Sequence, residues 1–473
     1  MSEAAPDFAR ASSAALQNPQ LRANFRRAMD GLIGKRAALF ADPQEWAALR
    51  ARGAATRAEA LARLPELLET LEARCTANGM KVHWAETAAD ANAIVLDILN
   101  AHGAKRLVKG KSMVSEEMHL NDFLEAHGVE SLESDLGEYV IQLDHETPSH
   151  IIMPAIHKNR RQIARLFGEK IRGAEYTEDV DALTGIARRV LRKKFEEADA
   201  GVSGVNFACA ETGTLVLIEN EGNGRMSTHV PKVHIALMGI EKVIPSLADV
   251  PPLLSLLTRS ATGQIVTTYV NMISGPRGEN EKDGPLEVHL VILDNGRSRI
   301  YGDPELRETL RCIRCGACMN HCPVYTRVGG HAYEAVIPGP IGKILTPQME
   351  GLKRRRELPN ASSLCGACVE ICPVEIPITD ILLKLRHDAS HTGPELEAGA
   401  ARDPWEARAW AAWRRVYASP RLYRAVSWLA TRFRGMPLPR VGPLGAWTSV
   451  RTTPQPARRS LHELAKERGV PDA

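Results

Sequence analysis

Apolar positions recur along this chain with two different periods, and the switches between them mark its regions. Residues 43–79 are rich in Ala, Leu, Arg and Glu and predict helices that end near Gly79. Short apolar runs then alternate with amphipathic stretches. Lys81–Trp84, Arg106–Val108, Val129–Leu132 and His150–Met153 predict strands. Ala89–His102, Ser115–His127 (with Ser115 as N-cap) and Lys158–Phe167 predict helices. Thr214–Glu219, Val233–Leu237 and Val288–Leu293 predict further strands that extend the same sheet. Strands separated by helices predict a mostly parallel sheet covered on both faces, because parallel neighbours need a crossover.

Helical spacing returns later in the chain. Residues 341–358 can be helical despite Pro347. Ile378, Ile381, Leu382 and Leu385 fall at i, i+3, i+4 and i+7, with Thr379 as the start. Trp410, Trp413 and Tyr417, then Leu422, Val426, Leu429 and Phe433, form two more stripes. The pattern separates a helical N-terminal region, an α/β body, a mainly helical cysteine module and a C-terminal region. No run of 18 apolar residues appears, so no transmembrane helix is expected. The first residues, MSEAAPDFARASSAALQNPQ, lack the basic start and apolar stretch of a signal peptide, which predicts a cytoplasmic protein.

Composition changes this picture only at one end. With 25% charged and 44% apolar residues the chain is neither disordered nor collagen-like nor a coiled coil. The net charge of +3 is unevenly spread: from residue 400 onward 13 Arg and one Lys meet five acids, a net +9, which leaves −6 for the remainder. Arg408, Arg414, Arg415, Arg421 and Arg424 interleave with the Trp-rich stripes. Trp and Arg are enriched at interface centres, so this region predicts a docking surface for a partner subunit, with peripheral membrane contact as the other use. No nucleic-acid recognition motif accompanies the charge, so no nucleic-acid partner is expected.

The chemistry lies in the cysteines. Of nine, Cys75 and Cys209 stand apart and predict buried apolar residues; the other seven lie between Cys312 and Cys372. Cys312, Cys315, Cys318 and Cys322, followed by Pro323, have the C-x2-C-x2-C-x3-C-P spacing of bacterial ferredoxins. Three thiolates two residues apart wrap one face of an iron–sulfur cube. Gly316 and Ala317 let the backbone approach it, and the fourth thiolate points to another cube. Cys365, Cys368 and Cys372, followed by Pro373, repeat the motif with Ser362 where its first cysteine would stand. The cross-ligation rule gives cluster 1 to Cys312, Cys315, Cys318 and Cys372. Cluster 2 receives Cys322, Cys365 and Cys368, three thiolates only. It is then a [4Fe–4S] cluster whose last iron is held by Ser362, water or a neighbour, or else a [3Fe–4S] cluster. Zinc is the competing metal, but two tetrahedral sites would call for paired C-x2-C ligands rather than triplets ending in Cys-Pro. His321 and His331 are expected beside the ligands or at the surface. The 42 residues between Cys322 and Cys365 are too long for a hairpin, and the module resembles the α-helical ferredoxin domains of respiratory iron–sulfur subunits.

Elsewhere the signals are weaker. Gly110-Lys111-Ser112 lacks the upstream glycine of a P-loop and predicts an ordinary capped turn. Gly222-Asn-Gly224 lacks the full dinucleotide fingerprint, and its loop is expected to face a ligand or a partner. His229 and His234 are expected to be satisfied surface residues, with acid–base chemistry as the sharper alternative.

Together, GKSMVSEEMHLNDFLEAHGVESLESDLGEYVIQL, HIIMPAIHKNR, FACAETGTLVLIENEGNGR, CIRCGACMNHCPVY and SSLCGACVEICPVEIPI resemble the lactate utilization protein B family. The family is the iron–sulfur subunit of a three-protein bacterial system that oxidises L-lactate to pyruvate. The resemblance implies a lactate-utilization domain over residues 70–300, similar to the sugar-phosphate isomerase and coenzyme A transferase type of α/β fold, after a helical region 1–69 and before a ferredoxin-type two-cluster domain 301–395 and a C-terminal region 396–473. It also implies two partners, a cysteine-rich redox subunit and a second, smaller lactate-utilization-domain protein. No complete flavin or nicotinamide fingerprint is present, so the chain is expected to relay electrons rather than act as a complete enzyme. Two other functions stay open. One is electron transfer for a different 2-hydroxy acid oxidase, such as one for glycolate. The other is a stand-alone α/β-domain enzyme with a redox-sensing cluster module.

Overall fold

Two long apolar runs, Val233–Gly239 and Glu287–Leu293, are buried almost from end to end, as strands covered on both faces must be. They are the centre of the architecture in a computed structural model that describes residues 6–390, 404–434, 455 and 457–470. In chain order the strands are β1 (Lys81–Ala85), β2 (Arg106–Lys109), β3 (Glu130–Glu133), β4 (Ala200–Gly204), β5 (Phe207–Cys209), β6 (Thr214–Glu219), β7 (Val233–Gly239), β8 (Val243–Ile244), β9 (Tyr269–Ile273) and β10 (Glu287–Leu293). Six of them form a fully parallel sheet in the order β1-β10-β7-β4-β2-β3.

The two faces of that sheet serve different cores. Val233, Ile235 and Leu237 pack with Ala91, Val95 and Leu99 of helix Ala88–Ala101, which starts with a capping box between Thr87 and Asp90. Ala236 and Met238, one residue out of phase, face a larger core. That core takes in Phe25, Leu61 and Leu71 from the N-terminal helices and Ile313, Tyr325, Ile344 and Leu382 from the cysteine module. The cysteine module is therefore built against the sheet. Buried Arg57, on helix Pro43–Ala62, ties three parts together: it donates to the carbonyl oxygens of Glu241, Val243 and Leu310.

Several expectations are corrected. Thr214–Glu219 does not extend the parallel sheet; it is β6 of a second sheet, β8-β5-β6-β9, where it runs antiparallel to β5 and β9. His150–Met153 is a turn, because the His150 imidazole Nδ1 accepts from the backbone N–H groups of Ile152 and Met153 and curls the chain around itself. Ser112, not Ser115, caps the helix Met113–Glu117, and His119, at φ 51°, starts a separate helix Leu120–Ala126. The helix around Pro347 runs Gly339–Glu350 and stops at Gly351, with the short helix Leu352–Arg355 following. β4 and β5 carried no strand signal.

Residues Ser390–Ala473 form a second unit. Its described helices are Pro404–Tyr417, Pro420–Arg432 and Leu461–Glu467. Trp413 stacks on Tyr417 at 4.4 Å, and the helix Pro420–Arg432 has no buried residue. Among the described residues no helix is long and apolar enough to cross a membrane.

Candidate metal centre

The two cysteine motifs fold into the same backbone, fifty positions apart. Arg314 (φ 60°) and Gly316 (φ 75°) turn the first loop left-handed, and Leu364 (φ 54°) and Gly366 (φ 83°) do so in the second. Each then enters a one-turn helix, Ala317–Asn320 and Ala367–Glu370. The Arg314 N–H donates to Cys312 Sγ at 3.4 Å; at the matching place the Leu364 N–H donates to Ser362 Oγ at 3.2 Å. Ser362 thus stands, atom for atom, where a thiolate stands in the first loop. N–H groups also reach the closing thiols, from Tyr325 to Cys322 Sγ (3.5 Å) and from Ile376 to Cys372 Sγ (3.4 Å).

Four of the seven thiols share one space. Cys312, Cys315, Cys318 and Cys372 line one cavity whose other walls include Ile151, Ile313, Ile341 and Val374. Cys322 does not line it, and its field is felt at Cys368 together with that of Cys365. Burial pushes the Cys315 and Cys318 thiols well above the usual range and lifts Cys368 and Cys372 to about 11. Cys365 is exposed, and the Ala367 N–H lowers it instead. Buried thiols with so little to charge them become ligands when a cation replaces their protons. A cavity walled by four sulfurs and aliphatic carbon, with no carboxylate, suits a soft iron–sulfur cube. Lys343, fully buried, brings its ammonium to 3.5 Å from Cys322 Sγ and over the Tyr333 ring. Among the described residues no carboxylate pairs with it. His321 bonds the Ala317 carbonyl and His331 the Thr147 carbonyl; neither lines the cysteine cavity.

A second cavity, a cleft of about 340 Å³, opens at the carboxyl ends of β2, β4, β7 and β10. The two weakly signalled loops meet there: Gly110-Lys111-Ser112 and Gly222-Asn-Gly224 both line it, and a Cβ on Gly110 would lie 3.4 Å from the Gly224 Cα. Charges converge at the end nearest the cysteines. Arg297 reaches Glu117 (2.8 Å) and Glu241 (2.7 Å), and Arg314 Nη2 lies 3.4 Å from Glu241. Burial works to raise the Glu241 carboxyl, but Arg297, Lys242 and Arg314 hold it at about 2. Burial lowers Lys242 to about 8 against the pull of Glu241. The expectation for His234 fails: it is buried on β7, bonds Ser203 Oγ at 2.8 Å, and burial lowers it to about 3. His229 is exposed, and Cys75 and Cys209 are buried, as expected.

Lys242, Arg297, Arg314 and Lys343 carried no motif. For the two lysines the available signal was charge set in an apolar run, the Glu241-Lys242 pair within Ile240–Ile244 and the lone lysine of Ile341-Gly-Lys343-Ile-Leu345.

Three family models match successive stretches of the chain. A LUD domain matches residues 68–293, a 4Fe-4S dicluster domain 308–376, and the C-terminal domain of lactate utilisation protein B 384–470. Lactate utilization protein B of Bacillus velezensis is 41% identical over 463 residues, covering 96% of each chain. The Bacillus subtilis protein of that name is 45% identical over 377 residues, 80% of this chain and 78% of its own, and the Shouchella clausii protein 41% over 468 residues, 98% and 97%. A solved DUF162 family protein from Deinococcus radiodurans is a distant likeness: 13% identity, TM-score 0.29, 49% of this chain and 98% of that one.

Proposed function

Because the chain belongs to the lactate utilization protein B family, and carries its LUD and 4Fe-4S dicluster domains, we propose that it is the electron-transfer subunit of a complex oxidising L-lactate to pyruvate. The observation that carries this reading is the convergence of Cys312, Cys315, Cys318 and Cys372 on one apolar cavity. These four hold cluster 1. Cys322, Cys365 and Cys368 hold cluster 2, a [4Fe–4S] cluster completed by Ser362 Oγ or water, with [3Fe–4S] as its iron-deficient form. When bound, each cluster would supply a one-electron carrier, two in all for the two electrons released as the C2 alcohol of lactate becomes a ketone and two protons leave to water.

The chain's own groups do the rest. Ile151, Ile313 and Val374 keep water from cluster 1, and the N–H groups of Arg314, Tyr325 and Ile376 steady the sulfurs. The α/β domain is of the sugar-phosphate isomerase and coenzyme A transferase type. The partners are a cysteine-rich redox subunit and a second lactate-utilization-domain protein. They dock on the C-terminal helices, where Trp405 (69% exposed), Trp410, Trp413 and Trp428 stand out beside arginines.

Anaerobic purification with iron and sulfide analysis and EPR tests the reading. The expected result is a brown protein with roughly seven to eight iron atoms per chain and two distinguishable cluster signals. A colourless protein holding zinc overturns it.

A further inference from the structure

We propose that the cleft at the carboxyl ends of β2, β4, β7 and β10 binds a small 2-hydroxy or 2-oxo acid, its carboxylate held between Lys242 and Arg314. The acid's identity rests on the lactate-utilization reading; the anion site rests on geometry alone. Open parallel sheets place ligands outside the carboxyl ends of their strands, where loops from several strands converge. Here those loops and the first cysteine loop bring four cations to the cleft wall, and they are not equally occupied. Lys111 donates to the Ile152 carbonyl at 2.8 Å. Arg297 spends its nitrogens on Glu117, Glu241 and the Asp294 carbonyl.

Lys242 and Arg314 differ. Lys242 is 8% exposed, lines the cleft, and makes no ion pair or hydrogen bond among the described residues. Arg314 gives Nη2 to Glu241, while its Nη1 is buried with no partner. A buried N–H without an acceptor is costly, and a carboxylate offers two oxygens to satisfy an ammonium and a guanidinium together.

Lys242 feels the charge of Cys312, and Arg314 follows Cys312 by two residues, so cluster 1 is the competing partner for both cations. Neither Lys242 nor Arg314 lines the cysteine cavity; both face the cleft. Ile151 borders both spaces, so an acid seated there lies one side chain from cluster 1. The wall also selects the anion. Glu117, Asp135, Glu219, Glu221 and Glu241 line the same cleft and repel a multiply charged phosphate ester, whereas a monoanion is tolerated. Val205, Ile152 and Ile337 give a short aliphatic chain an apolar contact.

Binding of L-lactate, pyruvate and inorganic phosphate to the anaerobically purified full chain, by calorimetry and ligand-observed NMR, tests this. Lactate or pyruvate is expected to bind and phosphate not. Lys242→Met should weaken the acid by at least about ten-fold with iron content and EPR unchanged, and Lys242→Arg should restore most of the affinity. Lys242→Gln, closer in polarity, serves if Lys242→Met does not fold. Wild-type protein that binds neither acid, or prefers phosphate, overturns the proposal. So does a charge-removing variant that keeps its affinity while the cluster 1 potential falls, since Lys242 would then be a counter-ion to the cluster. Iron-loaded protein that passes electrons but binds no acid sinks the site and spares the electron-transfer reading. Protein that binds the acid through Lys242 but holds no iron does the reverse.

Discussion

The loop around Cys312 and the loop around Ser362 share a backbone path, but their surroundings are opposite. A Cβ on Gly316 would sit 3.2 Å from His150 Cε1 and 3.3 Å from Ile152 Cγ1, whereas nothing lies within 4 Å of the same atom on Gly366. Cys315 is buried and its counterpart Cys365 is exposed. The first loop borders the cleft through Ile151; the second has one thiol fewer and a buried ammonium, Lys343, at its borrowed cysteine. Local sequence sets the cluster-binding backbone, and packing from distant elements sets what each copy does with it. Both sites have cations close by, Lys343 at Cys322 and Arg57 and Lys242 near Cys312, but solvent and a missing thiolate favour the more negative, reduced form of cluster 2 alone. Its midpoint potential should therefore lie above that of cluster 1, which drives electrons from the enclosed site to the open one. Redox titration followed by EPR checks the order, and a cluster 1 that reduces first reverses it.

The largest effect should come from removing a ligand on one side only. Cys312→Ser is expected to lose cluster 1, roughly half the iron and sulfide, and all lactate-driven reduction in the reconstituted complex. Full iron content in that variant would count against the ligand assignment. Ser362→Cys should make the loops alike. A fourth thiolate adds negative charge, so the cluster 2 midpoint drops toward that of cluster 1, and any [3Fe–4S] signal disappears. An unchanged EPR spectrum would mean that Ser362 Oγ is not at the cluster.

How much of this the sequence showed follows from the range of each interaction. Thiol spacing is local, so both motifs were plain. The Lys242, Arg297 and Arg314 cluster is assembled from the ends of β7 and β10 and from the cysteine loop, and no local pattern announces it. β4, Ala200-Gly-Val-Ser-Gly204, gave no strand signal because its residues are small. A Cβ on Gly201 would lie 1.8 Å from the Ser227 carbonyl oxygen, so the helix Asn223–His229 crossing it demands that smallness. His150–Met153 has the apolar content of a strand, but the His150 side chain captures its backbone. β6 has the same alternation whichever sheet it joins, so its placement depended on pairing that sequence does not encode locally.

A smaller effect should separate the loops electrostatically. Lys343→Met removes the cation beside Cys322, so the cluster 2 midpoint should fall by roughly several tens of millivolts while cluster 1 stays put. Equal shifts in both would show that the charge is felt through the whole module.

The smallest effect tests packing alone. Gly316→Ala and Gly366→Ala carry the same backbone penalty, about 1 kcal/mol, because both positions are left-handed. At Gly366 that is the whole cost. At Gly316 the new methyl also presses on His150, whose ring is fixed by Asn320 at 3.0 Å and by the Ile152 and Met153 N–H groups. The ring cannot yield without breaking those bonds, so Gly316→Ala should cost about 1 kcal/mol more than Gly366→Ala. Denaturant unfolding of the two variants under anaerobic conditions measures the difference. Equal losses would mean that the walls around the first loop give way as easily as solvent does around the second, and the contrast between an enclosed and an open cluster would lose its structural basis.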